Sequence, residues 1–134
     1  MIKSFFNIFA DKNTAKEESQ LSAQQLKDLM ENSKIKVIPL DVRSKIEYDR
    51  YHIKGALNIH IVDLSMQSLQ KALNLKENEK IIIVTYCNAG GRGGRSFSFL
   101  TNENTNENIQ IKNLTNGINQ WIDNGFPIEE NVKS

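Results

Sequence analysis

Short apolar runs alternate with amphipathic segments along most of the chain. Runs rich in β-branched or alternating apolar residues at 34–42, 81–86 and 108–114 predict strands, and residues 56–59 predict a brief extended segment. The run at 81–86, IIIVTY, has β-branched residues at consecutive positions, which is typical of a central parallel strand buried on both faces. Because helical segments separate these runs, we predict an α/β sheet covered by helices on both sides.

Helix signals lie between the predicted strands. Ser22 with Gln25, and Ser44 with Glu47, both match the capping-box pattern in which a serine begins a helix and a Gln or Glu follows three residues later. Further helices are predicted at 65–74, after Ser96, and from Gly117 up to a stop at Gly125.

The first twenty residues differ in character from the rest of the chain. An apolar stripe at helical spacing is followed by a polar stretch at 11–19 that we interpret as a linker. The apolar run is too short for a signal peptide and is interrupted by Asn7. We favour a short helix packed on the domain over a contact with a membrane surface or a partner. The stripe consists of Ile2, Phe5, Phe6 and Phe9, and the predicted organisation is 1–20 as this stretch and linker, 21–130 as one domain, and 131–134 as a tail.

Composition narrows the class of protein. The chain of 134 residues is 39% hydrophobic and 25% charged, as expected for one globular domain. A formal net charge of +1 argues against nucleic acid as a partner. One cysteine cannot form an internal disulfide, and one cysteine with two isolated histidines does not suggest a metal site. We expect no metal and no cofactor, and a cytoplasmic location in the absence of a convincing export signal.

The stretch YCNAGGRGGRS at 86–96 contains the single cysteine, Cys87, and four of the seven glycines. A strand, a glycine-rich turn and a helix bring backbone N–H groups together at one point, beside the positive end of the helix dipole. Such a turn binds anions, and here it follows the carboxyl end of a parallel strand, where ligands bind in α/β sheets. We expect this setting to favour the thiolate form of Cys87. The less favoured alternative is an inert buried cysteine.

These residues resemble the single-domain rhodaneses, a family of sulfurtransferases. LDVRSKIEYDRYHIKGALNIH at 40–60 is similar to the family's first signature, and LTNGINQWIDNGFP at 114–127 is similar to its second. Cys87 with its glycine–arginine turn matches the active-site loop between them. The resemblance runs from Leu21 to Ile128 and implies a three-layer α/β/α fold around a central, mainly parallel sheet of about five strands.

The resemblance also implies roles for individual residues. Cys87 would attack the outer sulfur of a small anionic donor such as thiosulfate and carry it as a persulfide to a thiol or cyanide. Since no second cysteine exists, glutathione or thioredoxin is the kind of thiol expected to take the sulfur. Asp41 and Arg43 would brace the loops, whereas His52 and Trp121 would be structural. The expected donor-binding residues are Asn88, Ala89, Gly90, Gly91, Arg92, Gly93, Gly94, Arg95 and Ser96.

The active-site loop departs from the family pattern Cys-x-x-Gly-x-Arg-Ser. Gly90 and Arg92 fit this spacing, but Gly93 stands where serine is expected, and an arginine–serine pair follows at Arg95 and Ser96. We therefore hypothesise three inserted residues and an enlarged, nine-residue loop from Cys87 to Arg95.

Other functions of the same fold remain open. A sulfur carrier or a non-catalytic binding module would share these motifs, although the retained cysteine favours chemistry. A cysteine-dependent phosphatase or arsenate reductase is less favoured, because the arginine expected six positions after the cysteine is replaced by Gly93.

Overall fold

The computed structural model describes residues 18–131, so the apolar stripe of the N-terminal stretch lies outside the described residues. A central sheet contains five strands, all paired in parallel, and a separate two-stranded antiparallel ladder joins β3 and β7. The strands are β1 (Gln20–Leu21), β2 (Lys36–Asp41), β3 (His52–Ile53), β4 (Leu57–Asn58), β5 (Ile81–Tyr86), β6 (Ile109–Leu114) and β7 (Ile128–Glu129). The order across the sheet is β1-β6-β5-β2-β4, which places β5 at its centre, as predicted.

Helices follow the strands as the sequence predicts. Both capping boxes are formed, with Ser22 and Ser44 each accepting a hydrogen bond from the backbone three residues later. The helices are α1 (Ala23–Asn32), α2 (Lys45–Arg50), α3 (Met66–Leu73), α4 (Gly91–Glu103) and α5 (Gly117–Asp123), with a 3-10 turn at Ile61–Asp63. Within residues 18–131, no helix combines the length and apolar character needed to cross a membrane.

Strand β5 divides the apolar core into two clusters. Ile83 packs in one cluster with Leu69 of α3 and Leu100 of α4. Val84 packs in the other with Leu26 of α1 and Trp121 of α5. Successive residues of a strand point to opposite faces of the sheet, so the consecutive apolar residues of β5 serve both clusters. The arrangement is the three-layer α/β/α architecture that was expected.

Four elements differ from the prediction. Strands β3 and β7 were not predicted, because two residues carry no periodicity, and the same holds for β1. Its Gln20 and Leu21 pair with Asn113 and Leu114 of β6, so the sheet includes one residue before the predicted domain start at Leu21. Helix α4 begins at Gly91, six residues before the predicted start after Ser96.

Candidate active site

Cys87 lies directly after the central strand β5, at the carboxyl edge of the sheet. Four residues, Cys87 to Gly90, connect β5 to α4, and we call this segment the cysteine loop. The backbone N–H of Gly90 donates a hydrogen bond to Cys87 Sγ over 3.2 Å. Gly90 has φ +129°, and a Cβ at this position would collide with the carbonyl oxygen of Thr115. Glycine is therefore required for the turn that brings this amide to the sulfur.

The hypothesis of an enlarged, nine-residue loop is wrong. Gly94 N donates to Gly90 O over 2.8 Å, so the α-helix is already formed within GGRGG. The first turn is held against β5, because Thr85 Oγ1 donates to Gly93 O over 3.0 Å. Packing against the strand thus overrides the low helix propensity of glycine. The additional glycine–arginine unit lies in the helix and does not widen the loop.

Arg92 lies in the first turn of α4 and pairs with Glu47 of α2. Its Nη1 and Nη2 lie 2.8 and 3.0 Å from the two carboxylate oxygens of Glu47, which is the bidentate geometry typical of strong arginine–carboxylate pairs. The hydrogen bond from Arg92 is the largest reason why the pKa of Glu47 falls to about 2. The same bond raises the pKa of Arg92, and the nearby Cys87 sulfur adds a smaller contribution in the same direction.

The side chain of Asn88 connects the cysteine loop to Arg43 and Glu47. Its Oδ1 accepts a hydrogen bond from Arg43 Nη1, and its Nδ2 donates to Glu47 Oε2, both over 3.0 Å. Arg43 and Asp41 are buried and form an ion pair of 2.7 Å, and Arg43 also donates to the carbonyl of Tyr51. Arg43 therefore contacts the loop directly, and Asp41 supports it through Arg43.

The N-terminus of α5 closes the other side of the loop. Ile118 N donates to Cys87 O over 2.9 Å, and Asn119 N donates to Asn88 O over 3.0 Å. Gly117 has φ +65°, and a Cβ here would lie 2.5 Å from Cys87 O. The glycine of the second signature is thus needed for the close approach of α5 to the loop backbone.

The other predicted loop residues divide into two groups. Ala89, Gly91 and Arg95 are exposed. Gly93 and Ser96 are buried on the side of α4 that faces the core, and Ser96 Oγ has no hydrogen-bond partner within residues 18–131. The structure thus brings the residues from Cys87 to Arg92 together around the loop and places Gly93 and Ser96 on the side of α4 that faces the core, while Gly94 is half-buried.

The two side chains expected to be structural have structural contacts. His52 Nδ1 lies 2.7 Å from the carbonyl oxygen of Tyr48, and the two rings stack with centroids 3.7 Å apart. The buried Trp121 donates from Nε1 to Pro127 O over 2.8 Å.

Sequence reasoning missed Glu47 and Gly117 as parts of the site. Glu47 was interpreted only as a helix cap, although it belongs to the EY pair of the first signature. Gly117 belongs to the second signature, but the sequence did not show which backbone it approaches. Their spatial relation to the loop is the information that the patterns lacked.

The arrangement places the buried Cys87 thiol in a setting that favours anions. Cys87 Sγ accepts the Gly90 amide at the beginning of α4, a helix of 13 residues whose N-terminus carries partial positive charge. Amides and a helix dipole at this position stabilise a bound anion.

The fold and this site define a class of α/β proteins with one cysteine in an amide-lined loop at the sheet edge. The family model of the rhodanese-like domain matches residues 22–124. Since the match covers most of the chain, the protein belongs to the rhodanese-like domain family.

Individual relatives agree with this assignment. Protein HIGH ARSENIC CONTENT 1, mitochondrial, from Arabidopsis thaliana is 34% identical over 96 residues, which cover 65% of this chain and 53% of that protein. The chain therefore spans about half the length of this curated relative. A rhodanese-like domain from Anabaena is similar in structure, with TM-score 0.64, 25% identity, and coverage of 84% of this chain and 79% of that chain.

A crystal structure of thiosulfate sulfurtransferase from Pseudomonas aeruginosa is also similar, with TM-score 0.64. Its identity is 18%, and the match covers 85% of this chain and 20% of that chain. At this identity the likeness shows the shared fold.

Proposed function

We propose that the protein is a sulfurtransferase that carries a sulfane sulfur on Cys87 as a persulfide. The observation that supports this most directly is the position of Cys87 Sγ, 3.2 Å from the Gly90 amide at the beginning of α4. Membership of the rhodanese-like family and the likeness to a thiosulfate sulfurtransferase agree with the proposal. The expected donors are small anions such as thiosulfate or a polysulfide.

The reaction proceeds in two displacements. The Cys87 thiolate attacks the outer sulfur of thiosulfate, a new sulfur–sulfur bond forms, and sulfite leaves with the electron pair of the bond that breaks. An acceptor thiolate or cyanide then attacks the outer sulfur of the persulfide, and the Cys87 thiolate is regenerated. The amides at the beginning of α4 stabilise the anions in both steps, as the donors of an oxyanion hole do.

The acceptor is an external thiol on this proposal. Cys87 is the single cysteine of the chain, so no internal thiol can resolve the persulfide. Glutathione and thioredoxin both supply the required thiolate, and comparing the rate of sulfur loss to each identifies the better acceptor.

Intact-protein mass spectrometry after treatment with thiosulfate tests the first displacement. We expect the wild-type protein to gain the mass of one sulfur atom, Cys87→Ser to gain none, and cyanide to remove the added sulfur as thiocyanate. A matched control moves the thiol out of the loop to position 98. Ser98 is suitable because it is exposed on helix α4, which follows the loop. The double variant Cys87→Ser/Ser98→Cys keeps one thiol but removes it from the loop, and we expect it to gain no sulfur. Equal labelling of this control would contradict a role for the loop.

A second candidate function is reduction of an oxyanion such as arsenate. The name of the Arabidopsis relative refers to arsenic, and arsenate is a tetrahedral anion that an amide-lined loop can bind. Arsenite formation from arsenate in the presence of glutathione, without persulfide formation from any sulfur donor, would favour this candidate. Hydrolysis of an aryl phosphate ester alone would favour a phosphatase. A protein that does none of these would be a binding module.

A further inference from the structure

Glu47 occupies the hydrogen-bond donors of Arg92 that would otherwise be available to a bound anion. Both terminal nitrogens of Arg92 contact the Glu47 carboxylate, at 2.8 and 3.0 Å. Glu47 also accepts from Asn88 of the cysteine loop, so the carboxylate is attached to the loop as well as to the helix. Each side chain of the pair is 30% exposed, so the two charges are partly shielded from water and close to the donor site.

The buried arginine that contacts the loop is also paired with a carboxylate. Arg43 is paired with Asp41 in the core, at 2.7 Å. Arg95 is the remaining arginine of this region, and it forms no ion pair with any residue in the described range. It is exposed, and its Nη1 lies 3.7 Å from the position of a Cβ built on Gly91. Three guanidinium groups thus face two carboxylates, and the Cys87 thiolate that the proposed reaction requires balances the third positive charge.

A site without a surplus cation favours the donor with fewer negative charges, because each further anionic charge needs its own compensation when water is removed. We propose that Glu47 determines donor specificity by neutralising Arg92, so that the site prefers monoanionic sulfane donors, such as organic thiosulfonates and alkyl persulfides, to the thiosulfate dianion. This proposal rests on the proposed sulfurtransferase function and identifies its substrate class.

The substitution Glu47→Gln removes the charge and keeps the helix-capping role of this residue. Glu47 accepts hydrogen bonds from Ser44 at the beginning of α2, and glutamine serves equally well at this position of a capping box. Glutamine also keeps a carbonyl oxygen that can accept one hydrogen bond from Arg92. The NH2 group of glutamine cannot accept the hydrogen bonds that Glu47 Oε2 accepts from Asn88 and Arg92, so the variant removes the negative charge and these two bonds while it keeps the size of the side chain.

Two donors that differ in charge provide the measurement. Methanethiosulfonate and thiosulfate both present a sulfane sulfur, but a methyl group replaces one anionic oxygen in the former. Cys87 attack on either forms one sulfur–sulfur bond and breaks one, and releases methanesulfinate or sulfite with the electron pair. The readout is kcat/KM for persulfide formation with each donor. The ratio of the two kcat/KM values is compared between the variant and the wild type, and this comparison cancels the difference in intrinsic reactivity of the two compounds.

We expect Glu47→Gln to shift the donor preference toward thiosulfate by about fivefold, mainly through a lower KM for thiosulfate. A shift of this size is typical of the loss of one partly exposed charge interaction. The shift should shrink as ionic strength rises, because salt screens exposed charges. Glu47→Asp keeps the charge and should keep the wild-type preference. Asp49→Asn is the matched control, since it removes a carboxylate from the same helix, where Asp49 pairs with Lys45. Its donor preference should equal that of the wild type.

The outcomes separate this proposal from the function on which it rests. If Glu47→Gln is folded and takes up sulfur but keeps the wild-type donor ratio within twofold, Glu47 does not set specificity, and the sulfurtransferase function stands. If the wild-type protein takes sulfur from neither donor, both proposals fail. If Glu47→Gln does not fold, the salt dependence of KM for thiosulfate is measured on the wild-type protein instead. Because Arg92 is neutralised in the wild type, this KM should increase little as salt is added. A steep increase would contradict the proposal.

Discussion

Arg43 lies at the centre of the polar groups beneath the cysteine loop. It is 1% exposed, and its guanidinium contacts the Asp41 carboxylate, the Asn88 side chain and the Tyr51 carbonyl. Each contact reaches a different segment: the end of β2, the loop, and the residue after α2. The guanidinium uses four N–H donors for these contacts, two of them for Asp41, whereas a lysine ammonium has three donors. This one side chain therefore couples the position of the loop to the neighbouring segments.

Replacement of Arg43 tests this role. We expect Arg43→Met to lower the free energy of unfolding by about 3–5 kcal/mol, because the buried Asp41 carboxylate would lose its partner. Denaturant unfolding followed by circular dichroism gives the value. Lys27→Met is the control, since Lys27 pairs with Glu31 on the exposed face of α1 at 2.7 Å, and it should cost less than about 1 kcal/mol. Equal decreases in the free energy of unfolding would show that the buried ion pair contributes no more to stability than the exposed one.

At the scale of elements, the contact between α4 and β5 sets the position of the cysteine. Gly93 is buried in this contact, and a Cβ there would lie 3.1 Å from Tyr86 Cα and 3.2 Å from Cys87 N. Gly94, the next residue of the helix, has no atom within 4 Å of such a Cβ. The first glycine permits close packing of the helix on the strand, whereas the second has no packing role.

Alanine substitutions at these neighbours should have opposite effects on stability. Gly94→Ala should raise the free energy of unfolding by about 0.5–1 kcal/mol, because alanine is the better helix former. Gly93→Ala should lower it by about 1 kcal/mol, because the methyl group pushes the helix away from the strand. It should also slow persulfide formation, since Cys87 N is among the displaced neighbours. Similar stabilisation by both substitutions, measured by denaturant unfolding, would contradict close packing at Gly93.

At the scale of the whole molecule, a single sheet separates two apolar clusters that share its strands. Leu100 of α4 is fully buried in one cluster, and Leu26 of α1 is fully buried in the other. Because β5 supplies residues to both, loss of one cluster exposes the back of the strand that supports the other. The domain should therefore unfold as one cooperative unit.

Core truncations on the two faces test this cooperativity. Leu26→Ala and Leu100→Ala should each lower the free energy of unfolding by about 2–5 kcal/mol, through lost apolar burial and the cavity that remains. In each variant the signals from secondary structure and from the buried Trp121 should change at the same denaturant concentration. Separate transitions for the two signals would show that the faces unfold independently.

Local patterns determined most of the fold. The capping boxes at Ser22 and Ser44 and the consecutive β-branched residues of β5 act over a few neighbours, so the helices, the central strand and the position of Cys87 at its end follow from the sequence. The family resemblance added Asp41 and Arg43 as bracing residues, and the structure places both beneath the loop.

Tertiary structure alone decided where the cysteine loop ends and how its charges are balanced. The arginine–serine pair at Arg95 and Ser96 suggested an enlarged loop, but packing on β5 makes GGRGG the first turn of α4 despite the low helix propensity of glycine. Arg92 pairs with Glu47 across 45 residues, and Gly117 approaches the backbone of Cys87 from the last helix. No periodicity or spacing encodes such contacts, because they depend on which segments the folded sheet brings side by side.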